Sequence, residues 1–546
     1  MRRVALILAV LLLTGCATIP KMGPVLVAGP NTVGSQTESG FSPAGPAEGA
    51  TQREILDGFI SAGSAPQNNF RIARSFLTDE VALVWNPTGS TMVRGVYDSV
   101  NVTSATEMTY ATKLVSVVDE DGVLISMEPA KNFEWNFIFS RVNGEWRLSN
   151  VPDGTLISET TFSSNYGEYS AYFFNYDRTA LVPDVRVFSR EGDPVASVAR
   201  AVIAGPSTFL PSSSTAFPED SELVSVLVDA ENGKTIVDVS GSASGASITD
   251  QQNMLAQLRV SLAEFADVSA TEMSVNQSIL SLATLPGLEP DWRVDDRPLI
   301  LYNNSFGYST GSETNSISSI EANIVNLEPT SVSFDASTNT AAISSPTGVY
   351  LVKDGVNRLS RQVSAVDPQI GGSQSVWWVN PDSPARIVVD NAGRDFTIDG
   401  PWSRSARIVG LEVSRDDTRV AIAINDLGQG YVLVGAIAAD NFGRPTYVSA
   451  YRRLAVSADS IVDLAWADST HVALLGERNG VVHAELATVG GGSRLIGQPP
   501  NPTGISGGNR GEAGLIVISG DGQLWKPRGG VWESTGVFAD VLATQH

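Results

Sequence analysis

Cysteine occurs once in 546 residues and histidine three times, so the chain cannot form an internal disulfide and has no Cys/His set for a structural zinc site. Clusters of Lys and Arg are missing too. With 36 basic residues against 59 acidic ones the formal charge is −23, which argues against a surface for phosphate backbones and gives anionic lipid no electrostatic hold. Neither G-x-x-x-x-G-K-[ST] nor a G-x-G-x-x-G between strand and helix occurs, so no loop that cradles nucleotide phosphates is present. No nucleic acid, metal or cofactor is expected. Past the first 15 residues no apolar run approaches the roughly 20 residues that a helix needs to cross a bilayer. The acidic balance serves solubility and leaves a basic partner open.

The one cysteine sits where it is most informative. Arg2 and Arg3 precede an apolar run from Val4 to Leu13, and Leu13, Thr14, Gly15 and Cys16 close it in the pattern of a bacterial lipoprotein signal. Residues 1–15 are expected to be removed, leaving Cys16 with diacylglyceryl and N-acyl groups. One acyl chain holds a protein only marginally, whereas two or more anchor it at about 0.8 kcal/mol per buried methylene. The expected location is the extracytoplasmic face of the cell membrane, lipid-anchored. Residues 16–50, with Pro20, Pro24, Pro30, Pro43 and Pro46 among Gly, Ser and Thr, read as a flexible tether of roughly 30 Å.

Fifty Gly and 28 Pro beside 42% hydrophobic residues point to a folded chain rich in turns and short strands. We expect several domains: two α+β domains followed by an all-β propeller of five or six blades. In the first, residues 51–156, Thr51 and Glu54 fit a capping box ahead of Ile55, Leu56, Phe59 and Ile60, and Gly63 stops the helix. A second helix with Ile72 and Phe76 precedes an antiparallel sheet turning at Asp121-Gly122 and Asn143-Gly144. In the second, residues 160–290, Asp193 caps a helix with Pro194 in its first turn and Gly205-Pro206 at its end. Asn232-Gly233 suits a type I′ hairpin, and another helix is expected from Thr249, with Gln252 three residues on. From 298 to 546 a strand, an acidic turn and a strand recur around Asp335, Asp416 and Asp468. That spacing fits blades of roughly 40 to 50 residues. The turn aspartates are expected to bond backbone N–H groups two residues on.

Motifs for chemistry fail on inspection. Gly504-Ile505-Ser506-Gly507-Gly508 matches G-x-S-x-G, but Pro499, Pro500, Pro502 and Gly511 around it predict a loop rather than a nucleophile elbow. Asp119-Glu120-Asp121-Gly122 lacks the later ligands of a calcium loop. His471 and His483 fall in blade-like strands and His546 is the last residue, so none forms a metal pattern. No enzymatic activity is expected. Trp377, Trp378 and Trp402 could stack on sugars, which keeps open a cell-wall carbohydrate-binding or carbohydrate-active propeller. Blade packing is the competing reading of the same residues.

Lipobox, Pro-rich tether, two α+β modules and an acidic-turn propeller, in that order, resemble the LpqB lipoproteins of actinobacteria. The middle module resembles the GerMN domain through Tyr172-Phe173-Phe174-Asn175, Leu181-Val182-Pro183 and Val202-Ile203-Ala204-Gly205-Pro206. What this resemblance implies is a non-enzymatic accessory that binds the ectodomain of a two-component sensor histidine kinase, MtrB, and so affects cell-wall and division control.

Overall fold

The Thr51 hydroxyl accepts the Glu54 N–H at 3.3 Å, and the Glu54 carboxylate accepts the Thr51 N–H at 2.7 Å, so the capping box opens the helix Gln52–Ala62 as its residues dictate. That helix lays Ile55, Leu56, Phe59 and Ala62 on a five-stranded sheet. The computed structural model describes residues 43–283, 285, 293–311, 313–391, 393–456 and 458–546. The Leu13 to Cys16 signal, most of the tether and the expected domain end at residue 290 lie outside these.

The first sheet has the order Glu145–Asn150, Leu124–Val142, Glu107–Asp119, Ser90–Ser104, Thr155–Ser158. Two details depart from expectation. The last strand pairs parallel with Ser90–Ser104, because the chain crosses the sheet after Asn150 instead of turning back beside it. The second helix, Gln67–Arg74, ends before Phe76, and a third helix, Asp79–Val84, follows it. Phe76 is buried from outside any helix. Asn143 and Gly144 both take positive φ, the geometry of a two-residue type I′ turn.

The middle domain opens with the hairpin Tyr166–Phe174 and Leu181–Ser189. Two helices, Pro194–Ala204 and Ile248–Leu262, pack between it and a four-stranded sheet ordered 278–279, 270–275, 234–239, 223–228. Asp193 Oδ1 accepts the Ala196 N–H at 2.9 Å and Gly205 stops the first helix at φ 107°, as read from the sequence. The second helix begins earlier than Thr249: Ser247 is its cap and accepts the Asp250 N–H at 3.1 Å. Two S/T-x-x-acid/amide matches overlap here, and the upstream one wins. The hairpin at Asn232-Gly233 forms, but only Gly233 has positive φ and the loop is longer than a type I′ turn. Asp229 accounts for this by bonding Glu231 N and Asn232 Nδ2.

Six sheets follow, spanning 299–316, 331–360, 369–398, 407–453, 460–497 and 502–538. Their inner strands neighbour one another in ring order, so this is a six-bladed propeller. The C-terminus closes the ring twice. Val541–Leu542 supplies the inner strand of the first blade, and Thr544–Gln545 pairs parallel with Ser331–Asp335 of the second. Asp335, Asp416 and Asp468 accept the N–H groups of Ser337, Thr418 and Thr470 at 2.8, 3.0 and 2.8 Å, so all three are turn supports. Inner strands are also stitched blade to blade. Ser333 Oγ accepts Ile370 N at 3.2 Å, Glu412 Oε2 accepts Trp466 N at 2.7 Å and Asp463 Oδ2 accepts Ile505 N at 2.9 Å.

The three parts form one compact unit, joined through the middle-domain hairpin. Arg186, 2% exposed at its side chain, meets the fully buried Asp184 at 2.9 Å. Arg186 Nη1 donates to Asp121 O of the first domain at 2.8 Å. On the propeller side, Arg452 lies 3.6 Å from Asp184 and stacks over Phe209 at 4.1 Å.

Two outcomes are expected. Asp184→Ala strands the buried Arg186 guanidinium, and its urea midpoint should fall by the equivalent of about 3–5 kcal/mol. Glu412 is pushed up to about 7 by burial, although Arg415, the Trp466 N–H and His546 pull the other way. The folded state therefore holds this proton above the ordinary value of 4.5, and stability declines as pH rises from 4.5 through 7. Glu412→Gln keeps an acceptor for Trp466 and should raise the urea midpoint at pH 8 while leaving it nearly unchanged at pH 4.

Candidate binding site

A cleft of about 1240 Å³ opens where the three domains meet. The first sheet lines one wall with Val93, Val115 and Leu124. The propeller lines the opposite wall with the 428–430 turn and Val456. Between them the floor is the helix Glu159–Asn165, whose start is set by Ser158 Oγ accepting the Thr161 N–H at 3.1 Å. Phe162 of this helix stacks on Tyr166 at 5.1 Å, and the Tyr166 hydroxyl bonds Thr91 at 3.1 Å. Arg190 Nη1 donates to Ser163 O and Ser164 O and so closes the helix end. Glu168 reaches across to the propeller and accepts Gly492 N at 2.6 Å.

At about 1240 Å³ this cleft exceeds the roughly 300–1,000 Å³ of small-molecule pockets. Its charges are mixed, with Glu159 and Glu168 beside Arg190 and Arg453. Among the described residues its lining offers no nucleophile hydrogen-bonded to a base. Among the described residues no group of three or more His, Cys, Asp or Glu is arranged to hold a metal ion.

A second hollow, about 650 Å³, lies at the mouth of the propeller beside its C-terminal closure. His546 Nε2 contacts Asp417 Oδ1 at 3.0 Å there. Burial opposes the imidazolium, but Asp417 and Asp335 outweigh it and His546 is raised above its usual value. Arg415 donates to Gly508 O at 2.8 Å and Gly507 O at 3.3 Å, so its charge holds strand ends together.

The sequence candidates scatter. Ser506 is the last residue of the strand Pro502–Ser506, not part of a loop, because it pairs with Ile516 in the sixth blade. Its buried hydroxyl donates to Ala543 O at 3.3 Å and faces no histidine bond. Asp119 Oδ1 accepts the N–H groups of Asp121 and Val123, a hairpin support. Trp377 and Trp378 are buried in blade cores, and Trp402 is half-buried with its indole N–H donated to Ala385 O at 2.7 Å. None of the three offers an open stacking platform. His471 Nδ1 contacts Asp468 at 2.9 Å and is held above its usual value by that carboxylate against burial. The cleft and the Arg186–Asp184 pair went unread in the sequence. Their one signal is two opposite charges at i and i+2 inside the otherwise apolar strand Leu181–Ser189.

Three family models match the chain in succession. They are the lipoprotein LpqB N-terminal domain over residues 45–163, a sporulation and spore germination model over 170–280, and the lipoprotein LpqB beta-propeller domain over 324–540. The lipoprotein LpqB of Cutibacterium acnes is 25% identical over 96% of this chain and 97% of its own length. That of Thermobifida fusca is 22% identical over 88% of each. Among solved structures, the first GerMN domain of the sporulation protein GerM from Bacillus subtilis matches at 16% identity over 22% of this chain and 92% of that one, with a TM-score of 0.19. Matched in order across all three folded parts, the chain belongs to the LpqB lipoprotein family.

Proposed function

We propose that the protein is a membrane-tethered, non-enzymatic accessory. Lipid on Cys16 anchors it at the outer face of the cell membrane, and its folded body binds and modulates the extracytoplasmic domain of a two-component sensor histidine kinase, MtrB-like, in cell-wall and division control. The observation that carries this reading is a wide three-domain cleft with mixed charge and no nucleophile–base pair, mounted on domains locked by a buried ion network. Binding without chemistry suits such a surface. Membership among proteins named as lipoproteins, with a sole cysteine at the end of a signal-like run, supports the anchor. Tethering supports the partner, since it raises effective concentration toward other membrane proteins.

Two measurements test the two halves separately. Cys16→Ala should move the protein from the membrane fraction to the soluble fraction with its thermal midpoint unchanged; full membrane retention would contradict the anchor. Immobilised kinase ectodomain should retain the mature protein at micromolar concentration. No retention there would sink the partner reading and leave the anchor intact.

A further inference from the structure

The strand Leu223–Val228 forms an open edge of the middle-domain sheet. It pairs on one side with Lys234–Val239 and, among the described residues, with no strand on the other. Alternate N–H and C=O groups of such a strand point outward without a strand partner. Edges of this kind are ordinarily blunted by a Lys, a Pro or a bulge along their length. Here the sequence is Leu-Val-Ser-Val-Leu-Val, with neither charge nor proline, and the one register shift sits at its start between Leu223 and Ser225. Leu223 and Val226 pack inward against the domain core, while Val224 and Leu227 are 57% and 63% exposed. The strand is thus held firmly by one face and presents an apolar row on the other, beside open hydrogen-bonding groups.

Its flanks narrow the choice of occupant. Glu219, Asp220 and Glu222 precede it, Asp229 and Glu231 follow it, and all five are exposed. Among the described residues, none of the five forms an ion pair with a cation. Pairing with a second copy is opposed by like charge in either direction. An antiparallel alignment of 223–228 on itself sets Glu222 opposite Asp229, and a parallel one sets Glu222 beside Glu222.

We infer that this edge takes an extended segment of another protein by strand addition, one with alternating apolar residues and Lys or Arg at both ends. Main-chain bonds to the open edge supply affinity, Val224 and Leu227 receive the alternate apolar side chains, and the acidic flanks select the basic ends. This stands apart from the kinase reading, because it specifies the surface and the segment whichever protein carries it.

The test uses the mature chain and two labelled peptides of alternating Val and Thr, one with paired Lys at each end and one with paired Glu. The basic peptide should bind roughly tenfold or more tighter than its acidic twin. It should also slow hydrogen exchange at alternate amides of 223–228. Val224→Lys with Leu227→Lys, both on the exposed face, should abolish that binding at an unchanged thermal midpoint, whereas Val531→Lys on the propeller should not. Equal affinity for both peptides, no binding of the basic one, or protection elsewhere than 223–228 would overturn the inference. Crosslinking of Leu227 between two copies, or to residues 16–42 of the same chain, would overturn it as well. The exchange measurement needs no variant, so the outcome does not depend on the double substitution folding.

Discussion

The Arg186–Asp184 ion pair is the constraint to which the arrangement of all three domains answers. Burying two opposite charges costs several kcal/mol per ion unless every remaining lone pair and proton finds a partner. Neither residue could be kept in this position by the middle domain alone. Arg186 needs Asp121 O from the first domain and Gly205 O from its own helix end, and Asp184 needs Ser207 N and the Arg452 guanidinium from the propeller. Asp184 Oδ1 and Arg186 Nε keep no hydrogen-bond partner even so, and the bonds that offset the burial of the pair are drawn from all three domains. A hinge at this point would have to expose or strand a charge, which opposes motion of the domains against one another.

The propeller obeys a second constraint, closure. A blade leaves both faces of a small sheet uncovered until its neighbours arrive, and a ring is the arrangement that leaves none without one. Closure here rests on short strands at the very C-terminus together with side chains that accept N–H groups from the next inner strand. Using carboxylates such as Glu412 and Asp463 for that purpose has a cost. Burial raises both above the usual carboxylate range, and Asp463 is pushed further by Asp367 and Glu412. The ring is stitched with groups that resist ionisation, an arrangement better suited to mildly acidic than to alkaline surroundings.

Much of the fold was legible residue by residue. Thr51, Asp193 and Gly205 announced helix limits because caps and stops are local events, settled within one turn of chain. Asp335, Asp416 and Asp468 announced blade turns for the same reason, since each carboxylate bonds an N–H two residues on. Where local rules overlapped, the sequence misled: Ser247 and Thr249 both offer a cap, and the upstream residue is chosen by how the helix packs. Asn232-Gly233 has type I′ composition, yet Asp229 draws the turn into a longer loop. Trp377, Trp378 and Trp402 were ambiguous because an indole suits a sugar or a core equally well, and only burial distinguishes them.

By itself the sequence determined the sole cysteine's position, the helix caps at Thr51 and Asp193 and the stop at Gly205, the acidic balance of the chain and the repeating grammar of the blades. Each depends on composition or on residues a few positions apart. Only the tertiary structure decided that there are six blades, that the C-terminus closes them, that Ser506 is sealed against a neighbouring carbonyl, and that Asp121, Asp184, Arg186 and Arg452 converge. Those outcomes join residues tens to hundreds of positions apart, and the energy that selects them, burial and mutual satisfaction of charge, exists only once the chain has brought them together.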